Sequence, residues 1–391
     1  MNDGSAWIAA VEAVEASQSS FFKFITANDS GETGGHQAGF HISKSAAPVL
    51  FKREFFKGEF HEEDIQITWQ DGFITDSSIK YYGRKTRDEY RLTRFGREFN
   101  YRERIATGDV LVISRVEYGV FKAFVLKSEE EIENFLDTFG LSPVDSGSII
   151  EIARTHVEPN EEDEFAEFFK TLGGEFPPTE LMSAKSRDIE LKVNDKEYEI
   201  LSNPDKKILD WTASEYRLFR FIEKSLHIDQ VKSGFSTLEE FVTLANTILN
   251  RRKSRAGKSL EHHLSFIFSK NGLPFSEQMV TEENYRPDFL FPSIDAYHDT
   301  SYPRKDIIVL AAKTTCKDRW RQILNEAENL EKHHLFTLQQ GITNNQLDQM
   351  FNANVQLVVP KQHLFTFSEK YRGKILTLTE FIGTVKNVYL K

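Results

Sequence analysis

The feature that most constrains the fold is an apolar run that ends in a lysine. Residues 307–312 read Ile-Ile-Val-Leu-Ala-Ala, and Lys313 follows at once. Six consecutive apolar residues predict a buried strand. Because burying an ammonium group is costly, a lysine at this position points to a functional role. The alternative is a structural lysine whose side chain leaves the strand end to reach solvent.

Acidic residues lie on both sides of this run. Pro287 and Asp288 open a short strand-like segment at 288–291, and Glu326 falls in the third turn of a helix predicted over 317–332. Carboxylates can hold Mg²⁺, and a lysine near an attacked phosphate can orient water and offset developing charge. The pattern therefore indicates metal-dependent phosphodiester hydrolysis. The alternative for Asp288 is an ordinary aspartate at a strand edge.

The spacing departs from the simplest form of this motif. Ala311 stands two positions before Lys313, where an acidic residue is usual. We therefore expect Asp288 and Glu326 to hold the metal, with Glu328 as the alternative to Glu326. An apolar stripe at three- to four-residue spacing supports the helix; its members are Trp320, Ile323, Ala327 and Leu330.

Composition restricts the class of protein. The chain has 391 residues, which suits two hydrophobic cores better than one. No apolar run approaches the ~20 residues that span a bilayer, and the first residues lack the features of a signal peptide. The single cysteine, Cys316, excludes an internal disulfide framework and a cysteine-built zinc site. These features predict a cytoplasmic protein.

The charge is segregated along the chain. The formal net charge is −11, yet DNA affinity depends on where lysine and arginine cluster. One basic cluster spans residues 84–97, and a second, at 251–258, contains no acid. Acidic residues concentrate at 158–164 instead. Such segregation suits an enzyme that binds DNA on defined faces.

Hydrophobic patterning separates two halves. Alternating apolar runs at 65–69, 110–113 and 120–125 predict strands of an open β-barrel or sandwich. A helix is predicted over 128–139, with Gly140 just beyond it. An acidic stretch bearing glycine and proline then marks a boundary. The predicted units are a domain over 1–175, a linker over 176–204 and a domain over 205–391.

The C-terminal unit has a mixed α/β pattern. A helix between two of its strands gives a βαβ-like alternation. Its predicted strands are 288–291, 307–312, 334–338 and 354–359, and its other predicted helices are 211–226, 236–249, 259–270 and 377–389.

Several of these segments resemble one enzyme family. In the C-terminal unit they are 251–261, 287–292, 296–300 and 313–326; in the N-terminal unit they are 27–37 and 85–97. Together they resemble the EcoRII-like type II restriction endonucleases, of the type IIE class. The resemblance is specific because long, ordered matches occur in both halves, although residues 105–205 contribute little.

The resemblance implies a two-domain protein of mainly-β and α/β class. Its N-terminal domain would be an effector DNA-binding pseudobarrel like the plant B-three domain, and its C-terminal domain a PD-(D/E)xK endonuclease. Enzymes of this family cut double-stranded DNA at CCWGG with Mg²⁺ and act as homodimers. A second DNA site, bound to autoinhibitory effector domains, stimulates them. A cognate DNA methyltransferase would protect host sites. The alternatives are a DNA-binding regulator that has lost cleavage and a metal-dependent repair or methylation-dependent nuclease.

The resemblance also implies roles for individual residues of the catalytic unit. Lys317, Asp318 and Arg319 match a base-reading triplet, and their donors and acceptor suit two adjacent C·G pairs; the alternative is three solvated charges. Glu261 matches a further acid that supports a second metal, or is a solvated helix residue. Tyr297 matches an active-site tyrosine, with a packed aromatic as its alternative.

Recognition of the central base is less well supported. Tyr216 falls where the family holds an extrahelical base. The arginine expected nearby is absent, and Asp210-Trp211-Thr212 occupies that stretch. We therefore leave the central base open as W, N or S, and Trp211 is a hypothetical stacking partner for it.

The remaining DNA-binding candidates are basic or polar. In the catalytic unit they form a predicted phosphate-contacting loop of Arg251, Arg252, Lys253, Arg255 and Lys258. In the effector unit they are Arg84, Lys85, Arg87, Arg91, Arg94 and Arg97, with His36 and Gln37 on an opposing arm. The alternatives are a solvated basic turn and a strand with a charged outer face.

Overall fold

Two β-sheets, one in each half of the chain, organise the structure. The computed structural model describes residues 6–34, 39–151, 159–194, 196–281, 286–317, 319–325, 330 and 332–390. A seven-stranded sheet lies in the N-terminal half and a six-stranded sheet in the C-terminal half. The predicted combination of a mainly-β and an α/β unit is therefore confirmed. No helix in these ranges is long and apolar enough to cross a bilayer.

The N-terminal sheet contains the strands that the alternating apolar runs predict. Its members are β1 Ser19–Phe24, β2 Gly39–Ile42, β3 Phe60–Trp69, β4 Ile74–Tyr82, β5 Glu89–Thr93, β6 Val110–Glu117 and β7 Val120–Leu126. They lie in the order β1-β6-β7-β3-β4-β5-β2. Neighbours are antiparallel except β3 and β7, which are parallel. The three strands predicted at 65–69, 110–113 and 120–125 are confirmed.

Apolar packing on β6 positions the last helix of the N-terminal half. The helices of this half are α1 Ala6–Glu15, α2 Ala27–Ser30, α3 Ala47–Leu50, α4 Tyr101–Arg104 and α5 Glu129–Phe139. Val110 and Val112 of β6 form one core with α1 and α5. The Ser128 hydroxyl caps α5 by accepting from the N–H of Glu131, and Gly140 ends the helix at a φ of 61°. The helix predicted over 128–139 is confirmed.

Helices occupy the stretch predicted as a linker. They are α7 Thr179–Asn194 and α8 Glu199–Ser202, with α6 Pro159–Thr171 before them and α9 Pro204–Ser233 and α10 Leu238–Lys270 after them. Glu190 of α7 accepts from Lys207 Nζ of α9 at 2.9 Å and from Trp211 Nε1 at 3.0 Å, and all three side chains are buried. A buried ammonium without its carboxylate would be costly. Helix α7 therefore belongs to the same folded layer as α9, while the proposed domain boundaries remain a prediction.

Helix α10 corrects the secondary structure predicted for the basic run. The predicted loop at 251–258 is wrong, because α10 continues through it and joins the two helices predicted on either side. Arginine, lysine and alanine are good helix formers, and Gly257 alone costs only about 1 kcal/mol relative to alanine. Burial of Arg255 and Leu260 against the neighbouring helices offsets that cost.

The C-terminal sheet contains the predicted strands in a mixed arrangement. Its strands are β8 Ser276–Glu277, β9 Phe289–Phe291, β10 Ile308–Lys313, β11 His333–Thr337, β12 Val355–Val359 and β13 Leu376–Thr377. The order is β13-β12-β11-β10-β9-β8, with β10 to β13 parallel and β8 and β9 antiparallel to their neighbours. The remaining helices are α11 Ile294–His298, α12 Asn344–Asn352, α13 Glu369–Arg372 and α14 Leu378–Tyr389.

The segment after β10 differs from its prediction. Where an α-helix was expected over 317–332, the structure has a 3-10 helix at Arg319–Asn325. Trp320 and Ile323 are both buried, and their spacing of three matches the three-residue turn of a 3-10 helix. Residues 326–329 lie outside the described part of the chain.

Candidate functional site

Asp288 and Lys313 meet where two antiparallel strands adjoin. Phe289 of β9 pairs with Leu310 of β10, so the residue before β9 lies beside the end of β10. The Asp288 Oδ2 atom accepts from the backbone N–H of Ala312 at 2.7 Å and from Lys313 Nζ at 3.3 Å. The Asp288 side chain is 8% exposed and that of Lys313 is 32% exposed. The carboxylate is thus fixed, while the amine can reach a ligand.

Replacing Ala311 with an acidic metal ligand would disturb a hydrophobic core. Its methyl group belongs to the apolar cluster that contains Trp320 and Ile323, on the opposite face of β10 from Leu310. Side chains alternate between the two faces of a strand. The departure from the usual motif therefore has a packing reason.

Glu261 joins the same cluster through a residue that the sequence did not single out. Its Oε2 atom accepts from Lys258 Nζ at 2.8 Å and from Gln278 Nε2 at 3.1 Å. The same Gln278 nitrogen donates to Asp288 Oδ1 at 2.7 Å. A glutamine after the two-residue strand β8 belongs to no motif, so only the fold could reveal this contact.

The oxygen donors of this cluster fit a hard divalent cation. Asp288 and Glu261 direct one carboxylate oxygen each at a single point, now taken by the Gln278 amide nitrogen. Within the ranges that the structure describes, no group of three or more histidine, cysteine or acidic side chains could hold a metal. Glu326 and its alternative Glu328 lie outside those ranges, so the third carboxylate remains a prediction.

Tyr297 is packed beside the catalytic strands. It is 1% exposed and shares an apolar cluster with Leu290 of β9 and Val309 of β10. The Arg304 guanidinium lies 5.3 Å from its ring centroid. This place agrees with the packed alternative, and a catalytic role for Tyr297 remains a prediction.

The candidate base-reading residues bind carboxylates of the N-terminal half. Lys317 Nζ donates to Asp109, which precedes β6, and both side chains are nearly buried. Burial raises the pKa of Asp109, and the Lys317 ammonium opposes that shift. Asp318 lies outside the described residues.

Two glutamates on the first turns of α5 bind the same segment. Glu129 accepts from the backbone N–H of Arg319 at 2.9 Å and from its guanidinium at 3.1 Å. Glu133 also pairs with that guanidinium. The Thr315 hydroxyl lies 3.1 Å from Glu129 and 2.9 Å from Glu133. Helix α5 thus covers the segment that the resemblance assigns to base reading.

The basic run of α10 binds the other end of α5. Arg252 donates to the backbone oxygens of Asp137 at 2.9 Å and Thr138 at 2.6 Å. Lys253 Nζ lies 3.3 Å from Asn134 Oδ1. Cations suit the carbonyl end of a helix because of its dipole. Both ends of α5 therefore contact residues predicted to bind DNA.

Other members of the run pack inside the helical layer. Arg251 lies 4.3 Å from the Phe176 ring centroid. Arg255 is 3% exposed and its guanidinium stacks 3.5 Å from the Tyr216 ring centroid. Tyr216 is itself 3% exposed. Contact between these two residues and DNA remains a prediction, and it would require them to leave this packing.

The hypothesis that Trp211 stacks on a base is wrong. Trp211 is wholly buried, and its indole N–H donates to Glu190. A fully enclosed ring presents no face to a base. Its role is to join α9 to α7.

Part of the N-terminal basic cluster lies in the connection between β4 and β5. Arg84, Lys85 and Arg87 line a surface groove with Phe60 and Tyr82. The guanidinium groups of Arg84 and Arg87 lie 5.8 Å and 5.5 Å from those two ring centroids. This groove is open to a ligand.

The remaining N-terminal candidates are less uniform. Arg94 pairs with the exposed carboxylate of Asp64, and Arg97 is exposed. The Arg91 side chain is only 12% exposed and lies 3.7 Å from Glu89. His36 and Gln37 lie outside the described residues. DNA binding by each of them stays a prediction.

Sequence reasoning missed the carboxylates that cover the basic residues. Glu129 and Glu133 lie in a helix whose first turn is wholly acidic, and acidic first turns are usual for any helix. Asp109 lies in an ordinary turn before β6. Their partners are far away in sequence, so no local pattern could identify them.

Two family models match the chain, one in each half. The model described as "Restriction endonuclease EcoRII, N-terminal" matches residues 14–161, and "EcoRII C terminal" matches residues 219–382. The type II restriction enzyme EcoRII of Escherichia coli is 34% identical over 390 residues, covering 94% of each chain. The type II restriction enzyme SsoII of Shigella sonnei is 22% identical over 222 residues, covering 49% of this chain and 71% of that protein.

Solved structures of two proteins resemble part of the chain. Metal-depleted Ecl18kI with uncleaved, modified DNA has a TM-score of 0.46 at 17% identity and covers 58% of this chain and 84% of its own. The PspGI–substrate DNA complex has a TM-score of 0.44 at 17% identity and covers 55% and 93%.

We predict that the contact between α5 and α10 weakens as pH rises from about 4 to 6. Burial, then the nearby Glu133, raises the pKa of Asp137 from 3.8 to about 6, although the α10 cations Lys253, Arg255 and Arg252 oppose this shift. The docked state therefore holds a proton that an undocked Asp137 would release, and loses stability as pH rises through this window. A donor and acceptor dye on Glu130→Cys of α5 and Ser254→Cys of α10, two exposed positions, would report docking by energy transfer.

Asp137→Asn supplies the matched control. The neutral amide should remove this pH dependence and leave energy transfer at pH 7 equal to or higher than in the parent protein. Identical pH profiles for the two proteins would contradict the role of Asp137.

Proposed function

Because this chain belongs to the EcoRII family of type II restriction endonucleases, we propose that it cleaves double-stranded DNA at a short CC(W/N)GG-type site with Mg²⁺. A type II restriction endonuclease is a site-specific deoxyribonuclease. The observation that carries the proposal is the joining of Asp288, Lys313 and Glu261 in one cluster at the end of β10. These residue types match the needs of phosphodiester hydrolysis.

Each member of the cluster has a separate task. Asp288 and Glu326 would hold Mg²⁺, with Glu261 supporting a second ion, and bound Mg²⁺ supplies Lewis-acid stabilisation of the phosphate. Lys313 Nζ, held 3.3 Å from Asp288 Oδ2, orients the attacking water and offsets the charge that develops on the phosphate. The bond from Ala312 N–H keeps Asp288 aimed at that position. Tyr297 packs the strands that carry these groups.

Recognition would come from the segment after β10. Lys317 and Arg319 would donate to guanine, and Asp318 would accept from cytosine N4, which reads two adjacent C·G pairs. The basic residues of α10 would contact phosphates. The protein would act in the cytoplasm beside a DNA methyltransferase that protects host sites.

The ion pairs of α5 support autoinhibition. Thr315, Lys317 and Arg319 are occupied by Asp109, Glu129 and Glu133, so DNA must displace these carboxylates before the segment can read bases. A second DNA site on the groove of Arg84, Lys85 and Arg87 would shift the protein toward the undocked state. The second DNA site shifts this equilibrium only if it binds the undocked state more tightly than the docked state.

An exposed apolar stripe supports a homodimer. The side chains of Leu238, Phe241 and Val242 on α10 are 77%, 52% and 50% exposed, on a two-helix projection formed with the end of α9. Spacing of three and four places them on one helix face. A second copy that pairs its own projection would form a four-helix bundle and bury both stripes. Such twofold symmetry also suits a recognition site that reads alike on both strands.

We predict that Lys313→Ala abolishes cleavage while leaving the fold intact. Unmodified plasmid DNA with Mg²⁺, followed by end sequencing, should give discrete ends at CC(W/N)GG sites for the natural chain. Loss of this lysine should cost at least about a hundredfold in rate, since it removes a charge that acts in the transition state. A natural chain that binds but never cuts, even with added site-bearing duplex, would support the alternative of a DNA-binding regulator.

We predict that Glu129→Gln with Glu133→Gln raises cleavage of single-site DNA on the order of tenfold, because a masking equilibrium of 1–3 kcal/mol corresponds to about 5–150-fold. The measurement is the initial rate on a linear duplex with one site, with and without added duplex. Glu130→Gln, an exposed acid on the same helix, is the control. Equal rates in both variants would argue against masking by α5.

We predict that Phe241→Glu weakens self-association at least about tenfold, because a charge at the centre of an apolar interface must be desolvated. Sedimentation equilibrium measures the change. Leu201→Glu, at a 60% exposed leucine on α8, is the matched control and should associate like the natural chain. Unchanged association of Phe241→Glu would place the dimer surface elsewhere.

A further inference from the structure

The side-chain amide of Gln278 bridges the two carboxylates of the cluster. Its single nitrogen donates one hydrogen to Asp288 Oδ1 at 2.7 Å and, at 3.1 Å, the other to Glu261 Oε2. Those two side chains are 8% and 16% exposed. Two carboxylates held this close would repel each other without a donor between them.

The amide nitrogen lies where a cation shared by both carboxylates would lie. A magnesium ion binds carboxylate oxygens at about 2.0–2.1 Å, which is shorter than either hydrogen bond. The nitrogen and such an ion cannot occupy this point together. A small inward shift of the two carboxylates would replace one with the other.

The backbone delivers Gln278 to this point. Strand β8 pairs Glu277 with Phe289, the residue after Asp288. Gln278 then takes a φ of 50°, and its backbone N–H lies 3.3 Å from the Asp288 carbonyl oxygen. Its side chain is half-buried, so rotation about its own bonds can withdraw the amide without moving the strand.

We propose that Gln278 is a placeholder for the second divalent cation, the one that Asp288 and Glu261 would share. In the metal-free protein its amide holds Asp288 and Glu261 at a spacing close to the one that the ion requires, and it leaves when the ion binds. This inference rests on the proposed function, because it requires both carboxylates to belong to the metal site. Gln278 is a positioning residue and takes no part in the chemical step.

A placeholder has a measurable consequence for affinity. Every ion that binds must displace two hydrogen bonds to carboxylates, which are among the stronger hydrogen bonds in proteins. The natural chain therefore needs more divalent cation to fill the site than a chain without the amide. A ligand role through the Gln278 oxygen would have the opposite effect.

Manganese binding to the full chain without DNA tests this proposal. Mn²⁺ suits the same carboxylate ligands, and the paramagnetic resonance signal of the free ion gives the dissociation constant. Gln278→Ala removes the amide. Gln278→Asn keeps an amide, tolerates positive φ, and is one methylene too short to span both carboxylates. We expect both variants to bind Mn²⁺ about tenfold more tightly than the natural chain.

A thermal melt supplies the second readout. In chelator, Gln278→Ala should melt at a lower temperature than the natural chain, because the two carboxylates lose their shared donor. Saturating Mn²⁺ should raise the melting temperature of Gln278→Ala by more than it raises that of the natural chain. Met279→Ala, an exposed neighbour, controls for disturbance of the loop. Unchanged or weaker Mn²⁺ affinity in both Gln278 variants would overturn the placeholder role.

Asp288→Ala separates this outcome from failure of the proposed function. If its Mn²⁺ affinity equals that of the natural chain, the metal site and the proposed function fail together with the placeholder. If Asp288→Ala loses binding while both Gln278 variants match the natural chain, only the placeholder fails.

Discussion

The hydrogen bond from the Ala312 N–H to Asp288 is the contact on which the catalytic half depends. It joins the residue before β9 to the next-to-last residue of β10, at 2.7 Å and largely out of solvent. Lys313 is the next residue along β10, so one backbone bond fixes the carboxylate beside the lysine. The apolar run of β10 then anchors this pair within a sheet packed on both faces. A rigid strand end is a more exact support for a reacting group than a loop.

Sequence patterns identified the parts of the structure that local chemistry determines. The buried run before Lys313, the Pro-Asp pair and the capped helix at 128–139 each follow from neighbouring residues, and the structure contains all three. The 3-10 helix at Arg319–Asn325 was missed because its geometry depends on the tertiary packing of Trp320 and Ile323. The prediction of a loop at 251–258 was wrong because basic composition indicates that a segment is solvated but does not determine its backbone conformation. Gln278 escaped notice because its partners come from two other elements.

The acidic balance of the chain has a structural explanation. A net charge of −11 is unusual for a protein with so many residues suited to DNA, yet part of the acid lies directly on those residues. Asp109, Glu129 and Glu133 place carboxylates on Lys317 and Arg319, the cations proposed to bind DNA. Under the proposed function, the carboxylates of the N-terminal half thereby take the place of DNA oxygens. The same cations, Lys317 and Arg319, would then bind DNA in one state and bind the masking carboxylates in the other.

Helix α10 places three distinct surfaces on one continuous rod. The exposed stripe around Phe241, the basic run at 251–258 and Glu261 follow one another along its 33 residues. At a rise of 1.5 Å per residue, Phe241 and Glu261 lie roughly 30 Å apart along the axis. Each added residue would also turn one surface by about 100° relative to the other. Length changes in this helix are therefore constrained by phase: an insertion of seven residues nearly preserves the relative facing, whereas an insertion of two reverses it.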